Sequence, residues 1–583
     1  MLWDTQEQPC LGLARARRLR SRLNGPVWVE TEHSDGLIRT AAIDDEGQLA
    51  ATVEQRLAAH GELLIGQVPA GRRLDVLWIM GKVLGLRDGQ QLVSPNDPQD
   101  RVAELDVVCA RLAESLGTGC LSVALIDSPQ GWQVLDFDLN PRLDHFIGDR
   151  DELLAAAVDL LGWLFPDGGQ GRIPIIAVTG TNGKTTTCHM VEAILRQAGY
   201  RTGMATSLGS RVNGAWISQL EDGFLPGHLA ILGHPEVDVA VLESTRGGAR
   251  SVGLGFDHCT LSACLNVAAE HLNDELGLRS VDELAELKQW IALRAKKGVV
   301  FNYDNPYPRA MIDQAGDRPV TVVSLDRTAA ELTETLPKVS ALCTLEQHHG
   351  RSWLMVTDAS GTRPIVAVED IPMTLQGLAR FNVSNAAHAV ALGKALGVDE
   401  ASIATGLRHL RPDFESLPGR LNLYQVGDFR VLYDYAHNPH GIAAVMEIVD
   451  RLPVRGCRRV NFSVTGTRFD DFAREVAALI AGHFDDYICT NYAAIYHRRP
   501  DEIPTILRAE LLAQGIEADR IRTIENADDA IAASLASAQP GDLVVFLVGK
   551  TLRAQWKLIE AFGEISPVDP ATIGSMPAPG QSA

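Results

Sequence analysis

From residue 173 onward the chain alternates short apolar runs with stretches whose apolar positions recur every three to four residues. IIAVT at 175–179 and VAVL at 239–242 are unbroken apolar runs, the pattern of strands buried on both faces, whereas residues 189–198 and 281–294 have helical spacing. Such alternation predicts a doubly wound parallel sheet. LPG at 417–419 interrupts the pattern, and the runs at 430–433, 460–464 and 543–547 predict strands of a second, Rossmann-like α/β unit. Residues 1–165 read differently, as α+β: short β-rich runs such as 27–30 and 76–79 mix with a helical stretch at 103–116. The Pro/Gly-rich FPDGGQG at 165–171 links the two parts, and residues 566–583, rich in Pro, Gly, Ser and Ala, predict a flexible tail.

Composition narrows the class. At roughly 150 residues per domain, 583 residues allow about three to four domains. With 46% hydrophobic and 22% charged residues the chain is an ordinary globular protein. The net charge of −21 opposes general nucleic-acid binding, because neutralising phosphates takes a basic surface, although a local basic patch can still hold an anionic substrate. Nine cysteines without CxxC spacing suggest reduced thiols. Arg15, Arg17, Arg18, Arg20 and Arg22 are followed by no apolar stretch, which argues against a secretory signal, and no window approaches the ~18 apolar residues of a membrane span. The expectation is a soluble cytoplasmic protein that binds neither membrane nor nucleic acid.

The sharpest chemical signal is IIAVTGTNGKTTT at 175–187: an apolar strand, a glycine-containing turn, then Lys-Thr opening a helix. Backbone N–H groups of Gly180, Thr181, Asn182, Gly183, Lys184, Thr185 and Thr186 and a helix N-terminus then face a phosphate, with Lys184 neutralising charge and the Thr185 hydroxyl available to Mg²⁺. A tight turn that merely tolerates glycine does not account for Lys184 followed by Thr185. The general P-loop has a further Gly where this chain has Val178, so the loop is of a shorter form. Glu243, ending the apolar strand at 239–242, is placed to hold Mg²⁺ with Thr185.

TGTNGKTTT resembles the nucleotide loop of the Mur ligase family of ATP-dependent amide ligases. Further stretches are similar to its cyanophycin synthetase branch: VAVLESTRGGARSVGLGF at 239–256, Asn266 with Glu270-His271-Leu272, Pro418-Gly419-Arg420, and DYAHNP at 434–439. The resemblance spans about 170–565 and implies a central ATP-binding domain at 172–415 and a C-terminal domain at 416–565. It implies ATP as substrate and two Mg²⁺ ions, His271 being a ligand of the second; alone, His271 reads as an ordinary histidine. It also implies that Lys288, otherwise a solvated helix lysine, is carbamylated and ligates metal. Asp304, in FNYDNP, is a weaker candidate that simply shapes a turn. In GLARFNVSNAA at 377–387 Asn382 is assigned to adenine, with Asn385 structural. Arg420 is assigned to transition-state phosphate charge, Asp434 to orienting the nucleotide, and Asn438 to the acyl phosphate, with His437 nearby. Arg246, Arg468, Arg498 and Arg499 are further substrate candidates.

Two departures from the family carry weight. The stretches at 62–86 and 134–145 resemble parts of an ATP-grasp domain, yet 1–165 is too short for a whole one, and Glu30 stands where the ATP-binding lysine is expected. The resemblance implies a truncated, non-catalytic remnant that scaffolds oligomers or docks polymer. Asp136 and Asp138 read as a turn-flanking acidic pair, and the arginines at 15–22 as a solvated helix face. GTRFDDF at 466–472 departs from the family's more charged segment and puts the amine and acceptor in doubt. The reading is an ADP-forming isopeptide ligase that attaches an amino acid, arginine or lysine favoured, to the side-chain carboxylate of an aspartate-containing peptide or polymer. It works as a homo-oligomer, with a separate ATP-grasp synthetase as partner. A ligase with another small acceptor and an ATP-binding scaffold subunit are the alternatives.

Overall fold

The computed structural model describes residues 8–10, 27–33, 36–39, 48, 51–52, 63–67, 71–89, 91–93, 101–129, 131–164, 171–220, 223–269, 277–466, 468–491, 495–496, 498–547, 549, 552–570 and 573. The chain divides into two compact units, Met1–Arg172 and Ile173–Ala583.

The first unit contains two sheets. In one, Gln8–Cys10, Leu63–Gln67, Val27–His33 and Gly36–Arg39 lie side by side. In the other, the antiparallel order is Gln91–Val93, Lys82–Asp88, Arg72–Ile79, Cys120–Ser128, Gly131–Asp138. The period of two in Arg72–Ile79 sends Leu74, Val76 and Trp78 to one face, against Leu105 and Cys109 of helix Val102–Leu116, and Leu77 and Ile79 to the other, against Ala156 of helix Arg150–Leu164. The arginines at 15–22 and the segment carrying Ser94–Asp100 lie outside the described residues.

The second unit is built on two larger sheets. We label the strands of its middle domain β1 (Ile175–Thr179), β2 (Thr202–Thr206), β3 (Gly209–Val212), β4 (Ala215–Ser218), β5 (Val239–Glu243), β6 (Cys259–Cys264), β7 (Ala295–Asn302), β8 (Val320–Ser324), β9 (Ala341–His348), β10 (Arg351–Asp358) and β11 (Gly361–Ala367). Their spatial order is β4-β3-β2-β5-β1-β6-β7-β8-β9-β10-β11, parallel from β2 to β9 with antiparallel edges. Every residue of β1 and β5 is buried, which is why both read as unbroken apolar runs. Helices α1 (Lys184–Gln197), α2 (Val281–Ala292) and α3 (Arg380–Leu396) cover the sheet. Ser280 starts α2 by accepting from Glu283 N.

In the C-terminal domain β12 (Asn422–Val426), β13 (Phe429–Asp434), β14 (Arg458–Phe462), β15 (Asp486–Cys489), β16 (Ile521–Thr523), β17 (Leu543–Leu547) and β18 (Ile565–Pro567) lie in the order β16-β15-β14-β17-β13-β12-β18. Pairing is parallel from β16 to β13 and antiparallel beyond it. The run at 566–583 therefore does not start as a loose tail: β18 pairs with β12 at Ser566 and Pro567, Val568 N donates to Leu423 O, and Ile573 is buried in the core. Helix α4 (Pro439–Arg451) follows β13, with Asn438 as its cap and Pro439 at its first position.

Candidate functional site

The phosphate loop leaves β1 at the middle of its sheet, at the C-terminal ends of the parallel strands where α/β folds present ligands. Gly180 has φ 150°, and a Cβ there would stand 3.1 Å from the Leu265 Cβ; at Gly183, φ 87°, a Cβ would be 2.2 Å from Asn385 Oδ1. Both glycines are thus required by close approach as well as by conformation. Asn266, just past β6, clamps the loop: its carbonyl accepts from Thr181 N at 2.9 Å, its Oδ1 accepts from Asn182 N at 2.9 Å, and its Nδ2 donates to Asn182 O at 3.0 Å. The amides of Thr181 and Asn182 are thereby consumed. The N–H groups left for an anion are those of the first turn of α1, at Lys184, Thr185 and Thr186, which have no partner further back in the helix.

Thr185 opens a polar corner. Its hydroxyl donates to Glu243 Oε2 at 2.9 Å and lies 3.0 Å from the Ser207 hydroxyl, while Ser207 N donates to the same carboxylate oxygen at 3.0 Å. From the C-terminal domain the Arg420 guanidinium comes within 3.5 Å of both hydroxyls. Glu243 is buried at the end of β5, and its backbone carbonyl accepts from His228 Nε2 at 2.9 Å. Gly255 N donates to His228 Nδ1, so the ring carries its proton on Nε2; burial pushes its pKa down to about 4 and keeps it neutral. Three hard oxygen donors converging beside a helix N-terminus suit Mg²⁺.

Two lysines flank the loop. Lys184 Nζ donates to Thr181 O at 2.8 Å. Lys288, expected on a solvated face without the family resemblance, is 1% exposed and donates to Gly180 O at 2.7 Å, so it holds the loop as an amine donor. FNYDNP supports the same loop from behind: Asn302 Nδ2 donates to Leu265 O, and Asn305 bonds Val267 through both side-chain atoms. Asp304 accepts from Ser324 Oγ and Leu325 N, tying the end of β7 to the end of β8.

Several of the assigned residues are engaged within the fold. Asn382 Nδ2 donates to Met373 O and its Oδ1 accepts from Asn385 Nδ2, so its amide is engaged inside the fold, and it is Asn385 that meets the phosphate loop. Asp434 faces its own backbone, accepting from Leu421 N and Ala436 N at 2.7 Å each; burial raises its carboxyl above the usual range, against the pull of Arg420 and these donors. Asn438, assigned to the acyl phosphate, instead pairs with Asn182. Arg420 stands over the Tyr435 ring at 5.1 Å, and the Tyr435 and His437 rings are 4.7 Å apart. Arg246 is half-buried at the start of helix Arg246–Ser251, three residues past Glu243. His271 lies outside the described residues.

The remaining arginines form a separate group. Arg498 Nη2 donates to Arg468 O at 2.6 Å and its Nε to Gly466 O at 3.1 Å, while its Nη1 pairs with Asp470 at 2.8 Å and Glu502 at 2.5 Å. It is a strut for the GTRFDDF loop. Arg468 packs over Phe472, and Arg499 is exposed beside Asp501. Cys264 and Cys343, like Cys109 and Cys489, are thiols pushed up to about 12 by burial. Ser207 and His228 belong to the Thr185–Glu243 corner and were missed by sequence reasoning, and Asn385, beside Gly183, was set aside by it.

The profile of the Mur ligase middle domain matches residues 178–393, and that of the Mur ligase glutamate ligase domain matches residues 419–550. The chain belongs to the Mur ligase family. These Mur domains take in the phosphate loop, the Thr185–Glu243 corner and Arg420. The cyanophycin synthetase of Crocosphaera subtropica is 29% identical over 500 residues, covering 83% of this chain and 56% of that protein. The cyanophycin synthetase of Geminocystis herdmanii is 32% identical over 503 residues, covering 82% and 55%. The chain thus spans about half the length of these relatives. Among solved structures, E. coli FolC in complex with DHPP and ADP has a TM-score of 0.50 at 22% identity, covering 67% of this chain and 90% of that one, a likeness of fold.

Proposed function

We propose that this chain is an ATP-dependent, ADP-forming amide ligase that joins an amino acid, arginine or lysine favoured, to the side-chain carboxylate of an aspartate-containing peptide or polymer. The observation that carries the reading is the convergence of Thr185, Glu243 and Arg420 on the helix start behind the phosphate loop. Similarity to cyanophycin synthetases supports the substrate class. In the first step a carboxylate oxygen attacks the γ-phosphorus, and the bridging P–O bond breaks with its electrons leaving on ADP. The amine lone pair then attacks the acyl carbon, the C–O bond to phosphate breaks, and the amine proton passes to the departing phosphate.

The residues supply positions and charge. The first turn of α1 binds phosphate oxygens, Lys184 turns from Thr181 O to the terminal phosphate, and Arg420, brought by the C-terminal domain, meets the charge that develops in transfer. Mg²⁺, held by Thr185 and Glu243, would neutralise phosphate charge. His271 belongs to a second ion in this proposal. Carbamylation of Lys288 would add an anionic oxygen there while leaving one Nζ–H for Gly180 O. Cytoplasmic location, homo-oligomer formation, a non-catalytic ATP-grasp-like first unit and a separate ATP-grasp partner complete the proposal.

The test is phosphate release from MgATP with an aspartate-backbone peptide, screened amine by amine. Release that needs both substrates, with a product heavier by one amino acid minus water, supports the ligase. A second reading, an ATP-binding scaffold subunit, is favoured by the altered GTRFDDF loop, where Phe469 is 66% exposed. ATP binding without release for any pair, and undiminished support of a partner synthetase by the Lys184→Ala variant, would select it.

A further inference from the structure

Asn182 belongs to two domains at once. Its backbone N–H and C=O are both bonded to the Asn266 side chain of the middle domain. Its side chain is bonded across to the C-terminal domain: Oδ1 accepts from Asn438 Nδ2 at 2.8 Å, and Nδ2 donates to Asn438 Oδ1 at 3.2 Å and to His440 Nδ1 at 2.9 Å. Asn438 Oδ1 also accepts from Gly441 N, so the same amide caps α4. Both protons of the Asn182 amide are therefore used within the protein, and neither is left to hold nucleotide. His440 must offer a bare Nδ1, which places its proton on Nε2; the residue is exposed, and partial desolvation of its ring by packed neighbours lowers its pKa in the same direction.

We propose that His440 is a positioning residue of the ligase, completing an Asn182–Asn438–His440 latch that fixes the C-terminal domain, and with it Arg420, over the phosphate loop. The proposal rests on the ligase reading for its kinetic consequence and on the hydrogen bonds alone for its structural one. No motif points to it, because the partner of His440 lies 258 positions earlier in the chain. Asn182 is half-buried and His440 exposed, so water takes up part of the lost acceptor's role and its removal costs about threefold in the closed population. The latch acts on closure and not on the phosphate contacts of the α1 first turn, so the effect falls on kcat and leaves KM for ATP alone.

The experiment compares the full-length wild type, His440→Ala and His440→Asn, the last offering an amide oxygen where Nδ1 stands. Amide hydrogen exchange without substrates reads the latch directly. In His440→Ala the loop at 180–188 and the start of α4 should exchange about threefold faster, with an unchanged thermal midpoint, and His440→Asn should restore most of the protection. With the assay in hand, kcat should fall about threefold in His440→Ala with KM for ATP within about twofold, and recover in His440→Asn. Unchanged exchange in His440→Ala overturns the latch, and so does a loss of kcat that Asn does not repair. Absence of turnover in the wild type, with altered exchange in the variant, overturns the ligase reading and leaves the latch standing.

Discussion

The loops that follow β1 and β14 both leave the C-terminal end of a central parallel strand, and both contain glycine and a basic residue. They are held very differently. The loop after β1 is fixed by side chains from four other segments: Asn266, Lys288, Asn385 and Asn438. The loop after β14 is braced by Arg498, from a segment thirty residues on, and carries Phe469 in solvent. A phosphate demands the same geometry of every substrate, so its cradle is set in advance. The loop that departs from the family pattern is the one with room to vary, and under the proposed function it is where choice of amine or acceptor is expected.

Breaking the fixed loop should have the largest effects. Under the proposed function Lys184→Ala removes the cation assigned to the terminal phosphate, and steady-state kinetics should show kcat lowered by about 10²–10³. Glu243→Gln weakens the acceptor shared by Thr185 Oγ1 and Ser207 N and removes the proposed anionic Mg²⁺ ligand; a fall of about 10² in kcat/KM is expected, with more Mg²⁺ needed for half-maximal rate. Perturbing the other loop should separate the substrates. Arg498→Ala releases the carbonyls of Gly466 and Arg468, and KM for the amine or acceptor should rise about tenfold while KM for ATP stays unchanged. A rise in KM for ATP instead would show that the two loops are not independent. Arg499→Ala, at an exposed ion pair, should change either constant by less than about twofold.

How far the sequence reveals the site follows the same division. The phosphate loop was legible because its chemistry is local: an apolar strand, glycines at close approaches and a Lys-Thr helix start all lie within thirteen residues at 175–187. Glu243 was legible for the same reason, as an acid that ends an apolar run. Asp434 was legible as a special position but not in its task, because a carboxylate near a nucleotide loop reads as a ligand until its two backbone donors are seen. Ser207, His228 and His440 carried no signal: each has a partner brought by tertiary folding, Ser207 to Glu243, His228 to Gly255 and His440 to Asn182. The doubly wound sheet was legible from its buried strands. The strand Ile565–Pro567 was not, since three residues beside prolines and glycines read as tail until they pair with β12.

The most direct test of the central claim follows oxygen. With MgATP, an aspartate-backbone peptide labelled with ¹⁸O in its side-chain carboxylates and the amine that supports turnover, attack of the carboxylate on the γ-phosphorus predicts one ¹⁸O in each phosphate released, and none without the amine-dependent product. Phosphate released without label, or ADP formed by hydrolysis indifferent to the peptide, would contradict it.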